Sequence, residues 1–103
     1  MRIADDPNRI EQILEKTTAL SDRLQLYVNH YVLIEVCEYE VEDRVGLLYE
    51  VSEYEYNDAE PIDARDFSND DRTLVSCALF DSREEALAHA FALTKRLYEL
   101  QSL

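Results

Sequence analysis

Hydrophobic residues near the start of the chain recur at helical spacing after an Asp-Pro pair. Asp6 can accept hydrogen bonds from free backbone N–H groups, and Pro7 suits the first position of a helix. The apolar stripe that follows keeps one phase, and it consists of Ile10, Ile13, Leu14, Leu20, Leu24 and Tyr27. The pattern therefore predicts one long helix over residues 7–28. In the alternative interpretation, the helix ends near Leu20 and a strand begins at Leu24.

From Tyr31 onward the hydrophobic period changes to two, which is typical of a β-strand. The side of this strand that we expect to be buried consists of Val32, Ile34 and Val36. A polar turn at residues 42–44 leads to a second strand at about residues 45–56, and so short a connection predicts an antiparallel hairpin. A third strand is predicted over residues 73–80.

The last segment carries the signature of a capped helix. Ser82 and Glu85 have the spacing of a capping box, and a broad apolar face continues to about Leu100. The predicted element order is therefore α-β-β-β-α. We expect an α+β fold in a single domain, residues 1–103, with a three-stranded antiparallel meander and two helices packed on one face of it.

This element order resembles that of the double-stranded RNA-binding domain, in which the last helix also follows the third strand closely. That family carries a Lys-rich phosphate clamp at the start of its last helix. Here the corresponding residues are Arg83-Glu84-Glu85-Ala86-Leu87, and the surrounding sequence is acidic. The resemblance is therefore one of topology, and it does not imply RNA binding.

Composition narrows the classes of partner. The chain has 23 Asp and Glu against 10 Lys and Arg, which gives a net charge of −13. Nucleic-acid backbones and anionic lipids both require clustered cations, so we expect neither as a partner. The start of the chain lacks the features of a signal peptide, and no apolar run is long enough to span a membrane. These features predict a cytoplasmic protein.

Residues with catalytic or metal-binding chemistry form no recognisable motif. The one glycine, Gly46, rules out glycine-rich phosphate loops. Cys37 and Cys77 lack zinc-ligand spacing, and we expect both to be reduced core residues. His30 and His89 have no nearby nucleophile and acid. The sequence therefore predicts a protein that is not an enzyme, with no cofactor, no metal and no catalytic residue.

A long acidic loop is predicted at about residues 57–72, between the second and third strands. Within it, the run from Asp66 to Asp71 has oxygen ligands at alternate positions, as a calcium loop has. The glycine needed at the sixth position is missing, and Cys77 stands where such loops have a bidentate Glu. We therefore expect a solvated acidic loop.

The most distinctive feature is the interleaving of Glu and Tyr on the predicted hairpin. Neighbouring carboxylates repel, and tyrosine is enriched at interfaces, so a cationic partner would account for both. The alternative is an ordinary solvated face. The candidate binding residues are Glu38, Tyr39, Glu40, Glu53, Tyr54, Glu55, Tyr56, Asp58 and Glu60, with Asp66, Asp70 and Asp71 as a rim.

These features favour a non-catalytic module that covers the basic, nucleic-acid-binding surface of a partner protein, as inhibitors, immunity proteins and anti-restriction or anti-CRISPR proteins do. One alternative is an acidic domain adapted to high salt, consistent with only two lysines, Lys16 and Lys95. Another is a small enzyme or calcium-binding protein that uses the Asp-rich loop. The first predicted strand is apolar on both faces, so a homodimer through its second face or through the first helix is also expected as an alternative.

Overall fold

The computed structural model describes residues 1–29, 31–42, 45–56 and 72–101. Within these residues the element order is β-α-β-β-β-β-α. The elements are β1 (Arg2–Ala4), α1 (Pro7–Leu14), β2 (Thr17–Tyr27), β3 (Val32–Val41), β4 (Leu47–Tyr56), β5 (Arg72–Phe80) and α2 (Arg83–Gln101). The α+β class is confirmed. The predicted acidic loop lies outside the described residues, apart from Arg72, which begins β5.

The described strands form one antiparallel sheet in the order β1-β5-β4-β3-β2. The predicted meander of three strands corresponds to β3, β4 and β5 and is therefore narrower than the sheet. β2 and β1 extend it at its two edges. In the β3–β4 turn, Gly46 has a φ of 120°, a conformation that residues with a side chain rarely adopt.

One face of the sheet is covered by α2. Ile34, Val36 and Val51 of the central strands and Phe80 of β5 pack against the helix, whose small buried residue Ala90 permits a close approach. Ile34 is completely buried, and Val36 is 5% exposed. The predicted buried face of the first predicted strand is therefore confirmed.

The prediction that both helices pack on the same face is wrong. Ile10 of α1 lies on the other side of the sheet, in a cluster with Leu48, Cys77 and Leu79. These sheet residues alternate along their strands with residues that face α2, and alternate side chains of a strand point to opposite faces. The apolar second face is therefore covered at one end by this chain's own helix.

The first helix is predicted too long in both versions, because α1 ends at Leu14 and β2 has begun by Thr17. The strand that the alternative interpretation begins at Leu24 lies within β2. The hydroxyl of Thr17 donates a hydrogen bond to the carbonyl of Leu14 over 2.7 Å. Leu24 and Leu26 of β2 lie opposite Val36 and Ile34 of β3, on the α2 face. Pairing with β3 and burial under α2 favour the strand over the helix that the same residues could form.

The helix starts were predicted correctly. Oδ1 of Asp6 accepts a hydrogen bond from the Asn8 backbone, and Oγ of Ser82 accepts one from the Glu85 backbone over 3.3 Å. Both bonds satisfy N–H groups that have no partner within their helix. In the described part of the chain, no helix has both the length and the apolar character needed to cross a membrane.

Candidate functional site

The interleaved Glu and Tyr residues of the hairpin lie on opposite faces of the sheet. Strand alternation directs Glu38 and Glu40 of β3, and Glu53 and Glu55 of β4, to the face that α2 covers. The tyrosines Tyr39, Tyr54 and Tyr56 lie on the other face. The sequence thus places carboxylate and aromatic candidates side by side along the chain, and the pleat separates them.

The three tyrosines are engaged within the sheet face opposite α2. The hydroxyl of Tyr39 donates to Oε1 of Glu50 over 3.1 Å, and burial raises the pKa of this phenol. Burial also raises the pKa of Tyr54, whose ring lies 3.8 Å from the guanidinium carbon of Arg72. Tyr56 is only 5% exposed and packs with Leu33. Tyr56, one of the candidate binding residues, therefore belongs to the core of the fold.

The four glutamates divide into two pairs at opposite ends of the strands. Glu38 and Glu40 lie near the start of α2, where Nε of Arg83 is 3.6 Å from Oε1 of Glu38. Glu53 and Glu55 lie at the other end, opposite Ile34 and Val32 of β3. The carboxylates thus form two separate acidic positions, and only the first is partly neutralised by a described cation.

Glu53 and Glu55 line a groove of about 320 Å³ at the end of α2, which we call the acidic groove. Its other lining residues are Val28, Asn29, Val32, Leu97, Leu100 and Gln101. Oε1 of Glu53 accepts a hydrogen bond from the Ser76 hydroxyl over 3.0 Å, and Glu55 is exposed. Among the described residues, neither carboxylate has an ion-pair partner.

Two amide side chains fix the walls of the acidic groove. Nδ2 of Asn29 donates to Oε1 of Gln101 over 2.9 Å, which ties the β2–β3 turn to the last turn of α2. Oδ1 of Asn29 also accepts hydrogen bonds from the backbone N–H groups of Tyr31 and Val32, at 2.7 and 2.9 Å. The groove is thus built between a braced turn, a strand and a helix end, and its shape does not depend on an isolated loop.

The electrostatics of the acidic groove favour a cation. The C-terminal end of a helix carries a partial negative charge, and the last turn of α2 contains no basic residue. Val32, Leu97 and Leu100 contribute apolar lining to the same groove as the carboxylates. Lys and Arg side chains combine an aliphatic stem with a cationic end, so the chemistry of the groove suits such a side chain.

A second polar cluster surrounds Glu35, in the middle of the sheet face opposite α2. The Glu35 side chain is 3% exposed, and it accepts hydrogen bonds from Arg23 at 3.4 Å and from Gln25 at 3.2 Å. The Cys37 thiol donates to its Oε1, and the Arg72 guanidinium is 4.0 Å from its Oε2. Because every polar atom of Glu35 is engaged within the fold, we interpret this cluster as structural.

The sequence reasoning missed Glu35 as a buried residue, although a signal was present. It is the one charged residue in a run of apolar and β-branched residues, Val32 to Cys37. When apolar residues come directly before and after a single carboxylate in a strand, the pattern predicts that both faces of the strand are buried. A carboxylate buried in this way requires cationic partners. Arg23 and Arg72, which supply them, lie on two other strands.

The two cysteines are buried, and the described histidine, His89, is half-buried. Burial and the nearby Glu35 carboxylate raise the pKa of Cys37 to about 12, so its thiol stays protonated at neutral pH. Burial also raises the pKa of Cys77. His89 lies against the Phe80 ring and Arg2, and burial and the Arg2 charge lower its pKa.

Several predicted site residues lie outside the described residues: Asp58, Glu60, Asp66, Asp70 and Asp71. Within the described ranges, no three side chains of His, Cys, Asp or Glu form a group that could hold a metal ion. No protein-family description, curated protein or solved structure matches this chain. The chemistry of the acidic groove is therefore the starting point for assigning a function.

Proposed function

We propose that the protein is a non-catalytic binding module that docks onto a basic surface of a partner protein. The observation that carries the proposal is the acidic groove, which Glu53 and Glu55 line together with apolar residues at the negative end of α2. A Lys or Arg side chain of the partner would lay its stem on Leu97 and Leu100 and place its charge between the carboxylates. Inhibitors that cover a nucleic-acid-binding surface belong to this class.

The net charge of −13 supports the proposal at longer range. Complementary charge raises the rate of association with a basic partner, and this effect weakens as salt screens the charges. The two free cysteines fit a cytoplasmic location, which forms part of this proposal.

The acidic groove can be tested with defined cationic peptides. Capped hexa-arginine and hexalysine are titrated into the ¹⁵N-labelled protein, with a capped neutral peptide as a reference. We expect amide shifts to concentrate at Glu53, Glu55 and Leu100, because these residues border the groove. The double change Glu53→Gln with Glu55→Gln should weaken peptide binding by about tenfold, as expected for the loss of charge-assisted hydrogen bonds.

The matched control is Glu11→Gln with Glu15→Gln, which removes the same charge from exposed positions in and directly after α1, on the other side of the sheet. This control should bind the peptides with nearly wild-type affinity. Equal weakening in both double variants, or shifts spread over all acidic residues, would show diffuse charge attraction and contradict the proposed groove. A generally salt-adapted acidic domain predicts that result, together with marked stabilisation by molar KCl.

The physiological partner can be sought with the same variants. Wild-type protein, the groove variant and the control variant serve as baits in parallel captures from the native host, followed by mass spectrometry. A genuine partner should be retained by the wild type and the control and lost by the groove variant. A protein retained equally by all three baits does not use the groove, and such a result for every captured protein would overturn the proposal.

A further inference from the structure

The outer surface of α2 carries a seam of exposed residues on the side of the helix opposite its buried alanines. Glu84, Ala88, Phe91, Lys95 and Tyr98 follow one another at alternating steps of four and three, and all five are exposed. This spacing places side chains along one line of a helix, as in the contact seam of a coiled coil. The ring of Phe91 is 53% exposed and that of Tyr98 is 63% exposed.

The opposite side of the same helix accounts for the packing of α2 on its own sheet. Ala86 and Ala90 are fully buried there, and Leu93 and Leu97 pack against the same cluster. The exposed seam lies outside this buried cluster, and Phe91 at its edge borders a groove together with Leu24 and Leu87. An exposed phenylalanine between two exposed alanines, Ala88 and Ala92, is an apolar surface that a partner can cover.

The seam is complementary to the seam of a second copy when the two helices run antiparallel. If two copies of α2 cross antiparallel about the point midway between Ala88 and Phe91, each Phe91 ring faces the small Ala88 of the other copy. In the same register each Glu84 faces a Lys95, with opposite charge. Near the crossing point each large ring meets a small residue, and at each end of the contact an anion meets a cation. A two-fold symmetric contact requires a surface that is complementary to itself in this way.

We propose that this seam binds a second copy of the same chain, so that the protein forms an antiparallel homodimer through α2. Within one chain, Nζ of Lys95 lies 3.9 Å from Oε1 of Glu99, and both side chains are exposed. In the dimer, Glu84 of the second copy supplies a second carboxylate for the same Lys95. This contact uses neither the open sheet face nor α1, and it is independent of the acidic groove.

The dimer should be weak in dilute solution. Two crossing helices bury less surface than a standard protein interface, and each chain carries a net charge of −13. At an ionic strength of about 0.15 M the Debye length is about 8 Å, so salt reduces the long-range repulsion more than it reduces contact pairs. Association should therefore be measured at this ionic strength over a wide range of protein concentration.

A charge-swap experiment tests the register. The variants Glu84→Lys and Lys95→Glu each bring like charges together at both ends of the homodimer. Each variant alone should dimerise about tenfold more weakly than the wild type, as judged by sedimentation equilibrium. An equimolar mixture should restore association, because each end of the mixed dimer again pairs opposite charges. Isotope labelling of one variant identifies the mixed species by native mass spectrometry.

Two control variants separate the seam from overall charge. Lys16→Glu and Glu11→Lys change the net charge by the same amounts at exposed positions outside α2, and they should dimerise like the wild type. Because all substituted residues are exposed, each variant should retain the wild-type circular dichroism spectrum. A wild type that stays monomeric at the highest concentration would overturn the proposal. Homodimers that are unaffected by the swaps, or a mixture that does not associate, would overturn it as well.

Discussion

Oε1 of Glu35 lies 3.4 Å from Nη1 of Arg23, and this contact joins β2 to β3 in the middle of the sheet face opposite α2. The carboxylate is nearly inaccessible, whereas Arg23 is half exposed. Arg72 approaches the same carboxylate from β5, so that one glutamate connects three strands. The cluster satisfies its polar groups at the cost of desolvating a charge.

Replacing Glu35 should therefore destabilise the fold strongly. Glu35→Ala removes the shared acceptor of Arg23, Gln25 and the Cys37 thiol, and it leaves a void in the packed face. We expect a loss of about 3–5 kcal/mol, as for breaking a buried ion pair. Urea unfolding followed by circular dichroism provides the measurement, with the exposed Glu40→Ala as a control that should change stability by less than about 0.5 kcal/mol.

Ile34 is the central apolar residue beneath α2. Its side chain is completely buried, in a cluster with Val36, Val51 and Phe80. Ile34→Ala should lower the free energy of unfolding by about 2–5 kcal/mol, through lost transfer energy and the remaining cavity. The control is Leu74→Ala. Because Leu74 is 40% exposed, this change should lower the free energy of unfolding far less in the same urea titration. Similar losses for both residues would contradict the packing described.

The pKa of Glu50 predicts a pH dependence with a definite sign. Burial raises the pKa of this carboxyl above its ordinary value of 4.5, so the folded state binds a proton more readily than the unfolded state. Proton binding by Glu50 therefore contributes to the stability of the folded state at low pH. This contribution to the free energy of unfolding is lost as the pH rises through the raised pKa. Glu50→Gln should be more stable than the wild type at neutral pH.

The difference between wild type and Glu50→Gln should shrink toward zero as the pH falls to the ordinary Glu pKa and below it. Unfolding free energies from urea titrations over this pH range provide the measurement. Glu42→Gln, at an exposed position, serves as the control for the loss of one charge. A stability difference that stays constant with pH would show that Glu50 ionises equally easily in the folded and unfolded states.

The thiols should be protected from alkylation in the native state. Cys37 and Cys77 are each 8% exposed, and the pKa of Cys37 is raised to about 12, so little thiolate is present at neutral pH. Iodoacetamide should label both cysteines slowly in the native protein and rapidly in urea, as read by intact mass. Cys77→Ser isolates the labelling of Cys37. Rapid native labelling of this variant would contradict the burial of Cys37.

Local sequence rules determined the parts of this protein that depend on neighbouring residues. Asp6 and Ser82 begin helices because their side chains accept hydrogen bonds from the free N–H groups of the first turn. The period-two run around Ile34 indicated both a strand and its buried side, since alternation fixes which side chains share a face. The acidity of the hairpin was likewise evident from the order of its residues.

Only the tertiary structure decided where these elements meet. The residues from Thr17 to Tyr27 suit either a helix or a strand, and pairing with β3 selects the strand because it satisfies the backbone of that edge. Sequence order could not show that Ile10 packs opposite α2, or that Glu53 and Glu55 meet Leu97 and Leu100 across some forty residues of chain. Such contacts depend on how the whole sheet twists and which faces remain to be covered, and no local pattern contains that information.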